Sequence, residues 1–138
     1  MRPHRFPTVI RLLLLSLGMS WLLAAGPARA LTPDDALALV EGGIADRIEV
    51  LNRLASEPDE RSAALIRALA AREVQVFEGR VFISGADGVR DAVTGEPAEL
   101  PEGAQDAMVN NRLRGALQGA LAALDLIVHG TTTTTNAV

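Results

Sequence analysis

The sequence contains no cysteine, no lysine and no tyrosine, and aromatic side chains make up only 3% of its 138 residues. The absence of cysteine excludes disulfide bonds, thiolate metal sites and catalysis by a cysteine nucleophile. All 13 basic residues are arginine, and 17 acidic residues give a net charge of −4, which argues against a general nucleic-acid-binding protein. The length is that of one domain, and the apolar fraction of 49% is sufficient for one hydrophobic core.

The first thirty residues follow the pattern of a secretory signal peptide. Three arginines lie within residues 1–11, and residues 12–25 form an uncharged run, shorter than the roughly twenty apolar residues of a membrane-spanning helix. Ala28 and Ala30 then provide the small residues of a cleavage site. We predict cleavage after Ala30 and export to the periplasm or the extracytoplasmic face of the inner membrane. An uncleaved N-terminal anchor is the alternative.

Little in the remaining sequence suggests catalysis. Cleavage after Ala30 would remove four arginines and no acidic residue. The remaining chain would have 9 basic and 17 acidic residues and a net charge of −8. His129 is then the single histidine, and it lies beside a run of five threonines in which nothing would hold a general base in place. Residues 85–91 lack the alternating ligands and the distant glutamate of a calcium loop. We predict no catalytic residue, no metal ligand and no cofactor, so that the protein is not an enzyme.

Helical periodicity dominates the first half of the mature sequence. Thr32-Pro33 is typical of a helix start, and Gly42-Gly43 ends that short helix. Apolar residues then recur at helical spacing over 44–55 and again over 64–72, on either side of a proline-containing turn. Two amphipathic helices joined by a short turn predict an antiparallel helical hairpin, which has the layout of one HEAT-like repeat.

The hydrophobic period changes after residue 73. Val74–Phe77 and Arg80–Ile83 are β-rich runs separated by Glu78-Gly79, which predicts a hairpin with a tight turn. A third short strand is expected within residues 89–93. The proline-containing segment 96–103 is expected to be an irregular connection.

The last predicted element is a long amphipathic helix. Asn110 or Asn111 caps it, and leucine and alanine recur at helical spacing as far as residue 127. Residues 128–138 include the threonine run and show no periodicity. The predicted organisation is a signal peptide at 1–30, one α+β, mainly helical domain at 31–127 and a disordered tail at 128–138.

Two motifs in this domain are more specific than its helices. Residues 90–96 are Arg-Asp-Ala-Val-Thr-Gly-Glu, and residues 109–114 are Val-Asn-Asn-Arg-Leu-Arg; the strand Arg80–Ile83 precedes them and an Ala/Leu helix follows. With the signal peptide and the helical hairpin, they resemble the N-terminal extracytoplasmic region of the permease B subunit of bacterial urea ABC transporters. That subunit belongs to the branched-chain amino acid permease group. The resemblance covers about residues 10–127, and its family-motif residues are Asp91, Thr94, Gly95, Asn110, Asn111, Arg112 and Arg114.

The resemblance implies a part of a urea importer that carries out no chemistry of its own. In that family, further HEAT-like helices and a polytopic membrane domain follow this region. A second permease subunit, two ATPase subunits and a urea-binding protein complete the transporter. The implied role is docking, either onto the urea-binding protein or within the transporter.

The sequence departs from the family at about Leu126, where the chain changes to the threonine-rich end. No membrane-spanning segment follows, so the translocation residues of the family have no counterpart here. We interpret this as a truncated or frameshifted gene, which translation of all three frames downstream of codon 126 would test.

A different interpretation is a free secreted or periplasmic helical domain that binds another protein and is unrelated to transport. Neighbouring genes distinguish the two interpretations. A urea importer would be encoded beside a urea-binding protein, a second permease and two ATPases.

Overall fold

The computed structural model describes residues 30–133, with side chains placed as far as residue 129. The predicted signal peptide, apart from Ala30, and residues 134–138 lie outside this part of the chain. Within it, four helices and four short strands confirm an α+β fold that is mainly helical. In chain order they are α1 Pro33–Glu41, α2 Ile44–Ser56, α3 Glu60–Ala71, β1 Val74–Phe77, β2 Arg80–Gly85, β3 Gly88–Asp91, β4 Gln105–Asp106 and α4 Asn111–Thr133.

Side-chain caps begin α1 and α3 at the predicted turns. The Thr32 hydroxyl accepts a hydrogen bond from the Asp35 amide at 3.1 Å. Asp59 and Ser62 form a capping box: the Ser62 amide donates to Asp59 Oδ1 at 2.7 Å, and the Asp59 amide donates to Ser62 Oγ at 2.9 Å. Asp59 Oδ2 also accepts from the Leu31 amide at 3.2 Å. Because these caps satisfy N–H groups that have no partner inside a helix, they fix each first turn.

The strands form one antiparallel sheet in the order β3-β2-β1-β4. β1 and β2 form the predicted hairpin, in which Phe77 pairs with Arg80 across a turn whose residues Glu78 and Gly79 have φ of 47° and 74°. Positive φ at both positions is typical of a type I′ turn, whose twist matches that of the strands. β4 pairs with β1 from the other side and was not predicted, because two residues are too few to show a period.

The hydrophobic core lies where α2 and α3, the predicted helical hairpin, pack against α4. α1 and α3 also contact the sheet, so the same core continues to β1 and β2. The buried side chains of α4 recur at helical spacing, as the sequence predicted: Leu113, Leu117, Ala120 and Leu124. The largest buried side chains of the other elements are Leu39, Leu51, Leu65, Ile66, Leu69, Val74 and Phe82.

Helix α4 continues past residue 127, the predicted end of the domain, and runs through Thr133. Each residue added to an existing helix gains a backbone hydrogen bond without a new nucleation step, which lets a helix run past its last core contact. His129 supports this extension, because its Nδ1 lies 2.8 Å from the Asp125 carbonyl oxygen. No helix within residues 30–133 has both the length and the apolar character that crossing a membrane requires.

Candidate functional site

The first of the two sequence motifs, residues 90–96, contains a turn, Asp91–Gly95, that is organised by one carboxylate. Asp91 Oδ1 accepts hydrogen bonds from the amides of Val93 at 2.9 Å and Thr94 at 3.0 Å. The Gly95 amide donates to the Asp91 carbonyl oxygen at 2.8 Å. These bonds turn the chain after Asp91, which is why β3 ends there instead of continuing to residue 93 as predicted.

The Asp91 carboxylate has a structural role and is ionised at neutral pH. Its Oδ2 accepts a hydrogen bond from Arg80 Nη2 at 3.1 Å. Burial by itself raises the pKa of Asp91, but the hydrogen bonds from Thr94, Arg80 and Val93 and the Arg80 charge outweigh it, and the net pKa lies below its ordinary value. A carboxylate held in this form is suited to shaping the turn and unsuited to donating a proton.

Gly95 provides the space in which an arginine from α3 lies against the turn. Its φ is +70°, and a Cβ at this position would lie 1.7 Å from Arg61 Nη1. On the other side of Gly95, Arg90 Nη1 donates to the Gly95 carbonyl oxygen at 3.4 Å. Two arginines, from α3 and β3, therefore approach the same turn, and the glycine at position 95 makes room for Arg61.

These arginines line a groove of about 320 Å³ between α3 and the turn, which we call the arginine groove. It is lined by Arg61, Arg67 and Arg90, with Glu73 and Asp91 as its two carboxylates. Asp91 pairs with Arg80, whereas no ion pair links any of the three groove arginines to another described side chain. The rest of its lining is apolar: Ala64, Ala68, Ala71, Ile83 and Ala92. In a chain with a net charge of −4, the groove is a locally positive surface.

The second sequence motif, residues 109–114, lies at the start of α4 and contributes nothing to the arginine groove. Asn110 is the cap, because its Oδ1 accepts from the Leu113 amide at 2.8 Å. Asn111, Arg112 and Arg114 are exposed in the first helical turn, where there is no acidic residue. Positive charge at a helix N-terminus opposes the helix dipole, so the two arginines do not stabilise α4.

Asp91 and Gly95 were among the predicted residues, whereas the three arginines beside them were not. One feature of the sequence does indicate a groove beside α3: alanines 64, 68 and 71 recur at helical spacing and form a face of small residues. That spacing does not indicate which other element meets the face, so Arg90 could not be connected with Arg61 and Arg67.

Other predicted residues are separate from this groove. Ala28 lies outside the described residues, while Ala30 is exposed and directly precedes the buried Leu31. No group of three or more His, Asp or Glu side chains in the described part of the chain is arranged to hold a metal ion. Comparisons with protein-family models, curated proteins and solved structures gave no match for this chain.

Replacing Gly95 by alanine should lower the free energy of unfolding by about 1–2 kcal/mol, because a Cβ disfavours the left-handed backbone conformation. It should also displace Arg61 from the turn. Gly115→Ala is the matched control, since nothing lies within 4 Å of a Cβ at that helical position. It should raise the free energy of unfolding by about 0.5–1 kcal/mol. Guanidinium chloride denaturation followed by circular dichroism measures both; a loss at position 115 as large as at position 95 would contradict the expectation.

Proposed function

We propose that this chain is the N-terminal extracytoplasmic domain of the permease B subunit of a bacterial urea ABC importer. In this proposal the domain has no catalytic activity and docks the urea-binding protein. The proposal rests on the resemblance of residues 90–96 and 109–114 to that family. The second permease subunit and the ATPase subunits are then partners of the full-length transporter.

The arginine groove is the observation that carries the docking role. Gly95 leaves the space in which Arg61 lies against the turn, and Arg90 donates to the Gly95 carbonyl oxygen. Two of the three groove arginines, Arg67 and Arg90, are exposed. Neither forms an ion pair within the described part of the chain. Guanidinium groups form short, bidentate bonds with carboxylates, so the groove suits an acidic surface on the partner.

Retention of the urea-binding protein by the immobilised domain tests the proposal. Reversing two exposed groove charges, in the double variant Arg67→Glu and Arg90→Glu, should lower retention at least ten-fold and make the remaining retention less sensitive to salt. The double variant Arg112→Glu and Arg114→Glu changes the net charge equally, at the start of α4, and serves as the matched control. It should retain the partner at least several-fold better than the groove variant.

Two results would count against this function. If the unmodified domain does not retain the urea-binding protein encoded in the same genome, docking onto that protein is wrong. If both double variants lose retention equally, the binding depends on overall charge and the arginine groove has no special part in it. Circular dichroism of each variant shows that the fold is intact before binding is compared.

A further inference from the structure

An exposed segment beside the arginine groove carries the opposite charge. Residues 96–102 are Glu-Pro-Ala-Glu-Leu-Pro-Glu, and we call them the acidic strap. The strap begins at the residue after Gly95, which lines the groove. Its glutamates Glu96, Glu99 and Glu102 are exposed, and none of them forms an ion pair within the described part of the chain. The protein therefore has a positive groove and a negative segment side by side.

The acidic strap is held by the rest of the structure at its start and by a turn at its end. Pro97 forms a β-bridge with Arg90 on β3, the strand at the edge of the sheet. Near the other end, the Ala104 amide donates a hydrogen bond to the Pro101 carbonyl oxygen at 3.1 Å. The two prolines restrict the backbone further, because the proline ring fixes φ. A segment that is already restricted loses little conformational entropy when it binds.

The composition of the strap matches the lining of the groove. Leu100 and Pro101 lie between Glu99 and Glu102, and Leu100 is 40% exposed. The groove combines an apolar lining, mostly alanine, with three arginines. An acidic segment with an apolar centre is thus complementary to a basic groove with an apolar floor.

The charges in the groove favour carboxylates as ligands. One groove carboxylate, Asp91, is already paired with Arg80, so the three arginines face only the half-buried Glu73. Guanidinium groups bind carboxylates through short, charge-assisted hydrogen bonds. Within one chain, the strap runs from β3 at one edge of the sheet to β4 at the other, so it leads away from the groove that it adjoins.

We propose that the arginine groove of one copy of the protein binds the acidic strap of a second copy. Groove and strap meet at Gly95-Glu96, so a two-fold axis close to this junction brings each strap against the groove of the other copy. The strap and the groove lining are fewer than the roughly 20–30 residues per side of a standard interface, so the dimer is weak and reversible.

Self-association covers the groove that we propose to dock the urea-binding protein. The dimer and the docked complex then compete for the same three arginines, and the domain docks its partner as a monomer. This regulatory part of the inference rests on the proposed function, whereas the dimer itself does not.

Sedimentation equilibrium of the purified protein tests the dimer by an exchange of charges. The wild type should form more dimer as its concentration is raised towards about 1 mM. The groove variant, Arg67→Glu with Arg90→Glu, and the strap variant, Glu99→Arg with Glu102→Arg, should each dimerise at least about ten-fold more weakly. An equimolar mixture of the two variants should dimerise within about three-fold of the wild type, because each groove then meets a strap of opposite charge.

Two pairs of variants separate this contact from general effects. Arg112→Glu with Arg114→Glu changes the net charge as much as the groove variant does, and it should leave dimerisation within about two-fold of the wild type. Leu100→Ala should weaken the dimer several-fold with little effect on folding, since this side chain is exposed in the monomer. Leu126→Ala replaces another exposed leucine and should leave the dimer unchanged.

The dimer is wrong if the wild type stays monomeric up to about 1 mM, or if the mixed variants associate no better than each variant alone. A strap variant that dimerises as well as the wild type would also overturn it. Retention of the urea-binding protein by the strap variant, whose groove is intact, judges the docking function separately. Retention at or above the wild-type level supports the competition, whereas a dimer without retention by any variant leaves self-association standing and removes the docking role.

Discussion

Replacing Leu117 by alanine is expected to lower the free energy of unfolding by about 3 kcal/mol, the cost of removing a large buried side chain from a close-packed core. Leu117 is 1% exposed and lies on the face of α4 that packs against α2 and α3. Alanine is the best helix former, so the change does not weaken α4 itself. The loss therefore reports packing alone.

The same helix provides the matched control for this substitution. Leu126 is 75% exposed, and Leu126→Ala should change the free energy of unfolding by less than about 0.5 kcal/mol. Guanidinium chloride denaturation followed by far-ultraviolet circular dichroism measures both variants, with an unchanged denaturant dependence showing that the unfolding transition is comparable. Equal losses at the two positions would mean that α4 does not pack through the face described.

The second large effect is expected at Asp59, where one carboxylate connects two parts of the chain. Asp59→Ala should lower the free energy of unfolding by about 2 kcal/mol, the upper end for loss of a helix cap. The substitution removes the acceptor of the Ser62 amide and that of the Leu31 amide. It also leaves Ser62, which is 1% exposed, with fewer partners. Asp87→Ala, in the exposed turn after β2, is the matched control and should have little effect.

The Asp59 effect should depend on pH in a defined direction. Burial by itself raises the pKa of Asp59, but hydrogen bonds from Ser62 and Leu31 outweigh it, and the net pKa lies below its ordinary value. The pKa of Asp59 is lower in the folded protein than in the unfolded chain, where it is about 3.9. The ionised carboxylate therefore stabilises the fold fully above pH 3.9, and this stabilisation is lost as the pH falls through the pKa of the folded state. The difference between wild type and Asp59→Ala should therefore shrink as the pH is lowered from about 5 towards 2. A difference that stays constant over this range would show that the carboxylate charge is not involved.

Local chemistry made most of the fold predictable. Caps and turns are specified by residues that are neighbours in the sequence. The examples are Thr32 with Pro33, Asn110 before an apolar helix, and Glu78-Gly79 between two β-rich runs. The structure has a cap or a turn at each of these places. β4 and the bond between Asp59 and Leu31 were not predicted, because both join residues distant in sequence. The helical extension beyond residue 127 was missed because it rests on helix propagation and not on apolar periodicity.

The candidate sites were less predictable for the same reason. The arginine groove combines two helical residues, Arg61 and Arg67, with Arg90 from a strand. Arg47, a buried residue outside these sites, did leave a signal: it lies three residues after Ile44 and four before Leu51, and so occupies the apolar face of α2. A charged residue on a core face indicates a buried polar interaction, although its partner, the Leu39 carbonyl, depends on the packing of α1.

The contact between Leu31 and Asp59 has a consequence for maturation of the chain. Hydrolysis of the Ala30–Leu31 bond, the cleavage that the sequence predicts, converts the Leu31 amide into a free α-ammonium group. That nitrogen lies 3.2 Å from Asp59 Oδ2, so the new N-terminus would be held by an ion pair at the first turn of α3. A chain that begins before Leu31 keeps a neutral amide at this position, so cleavage at the predicted bond would strengthen this one contact.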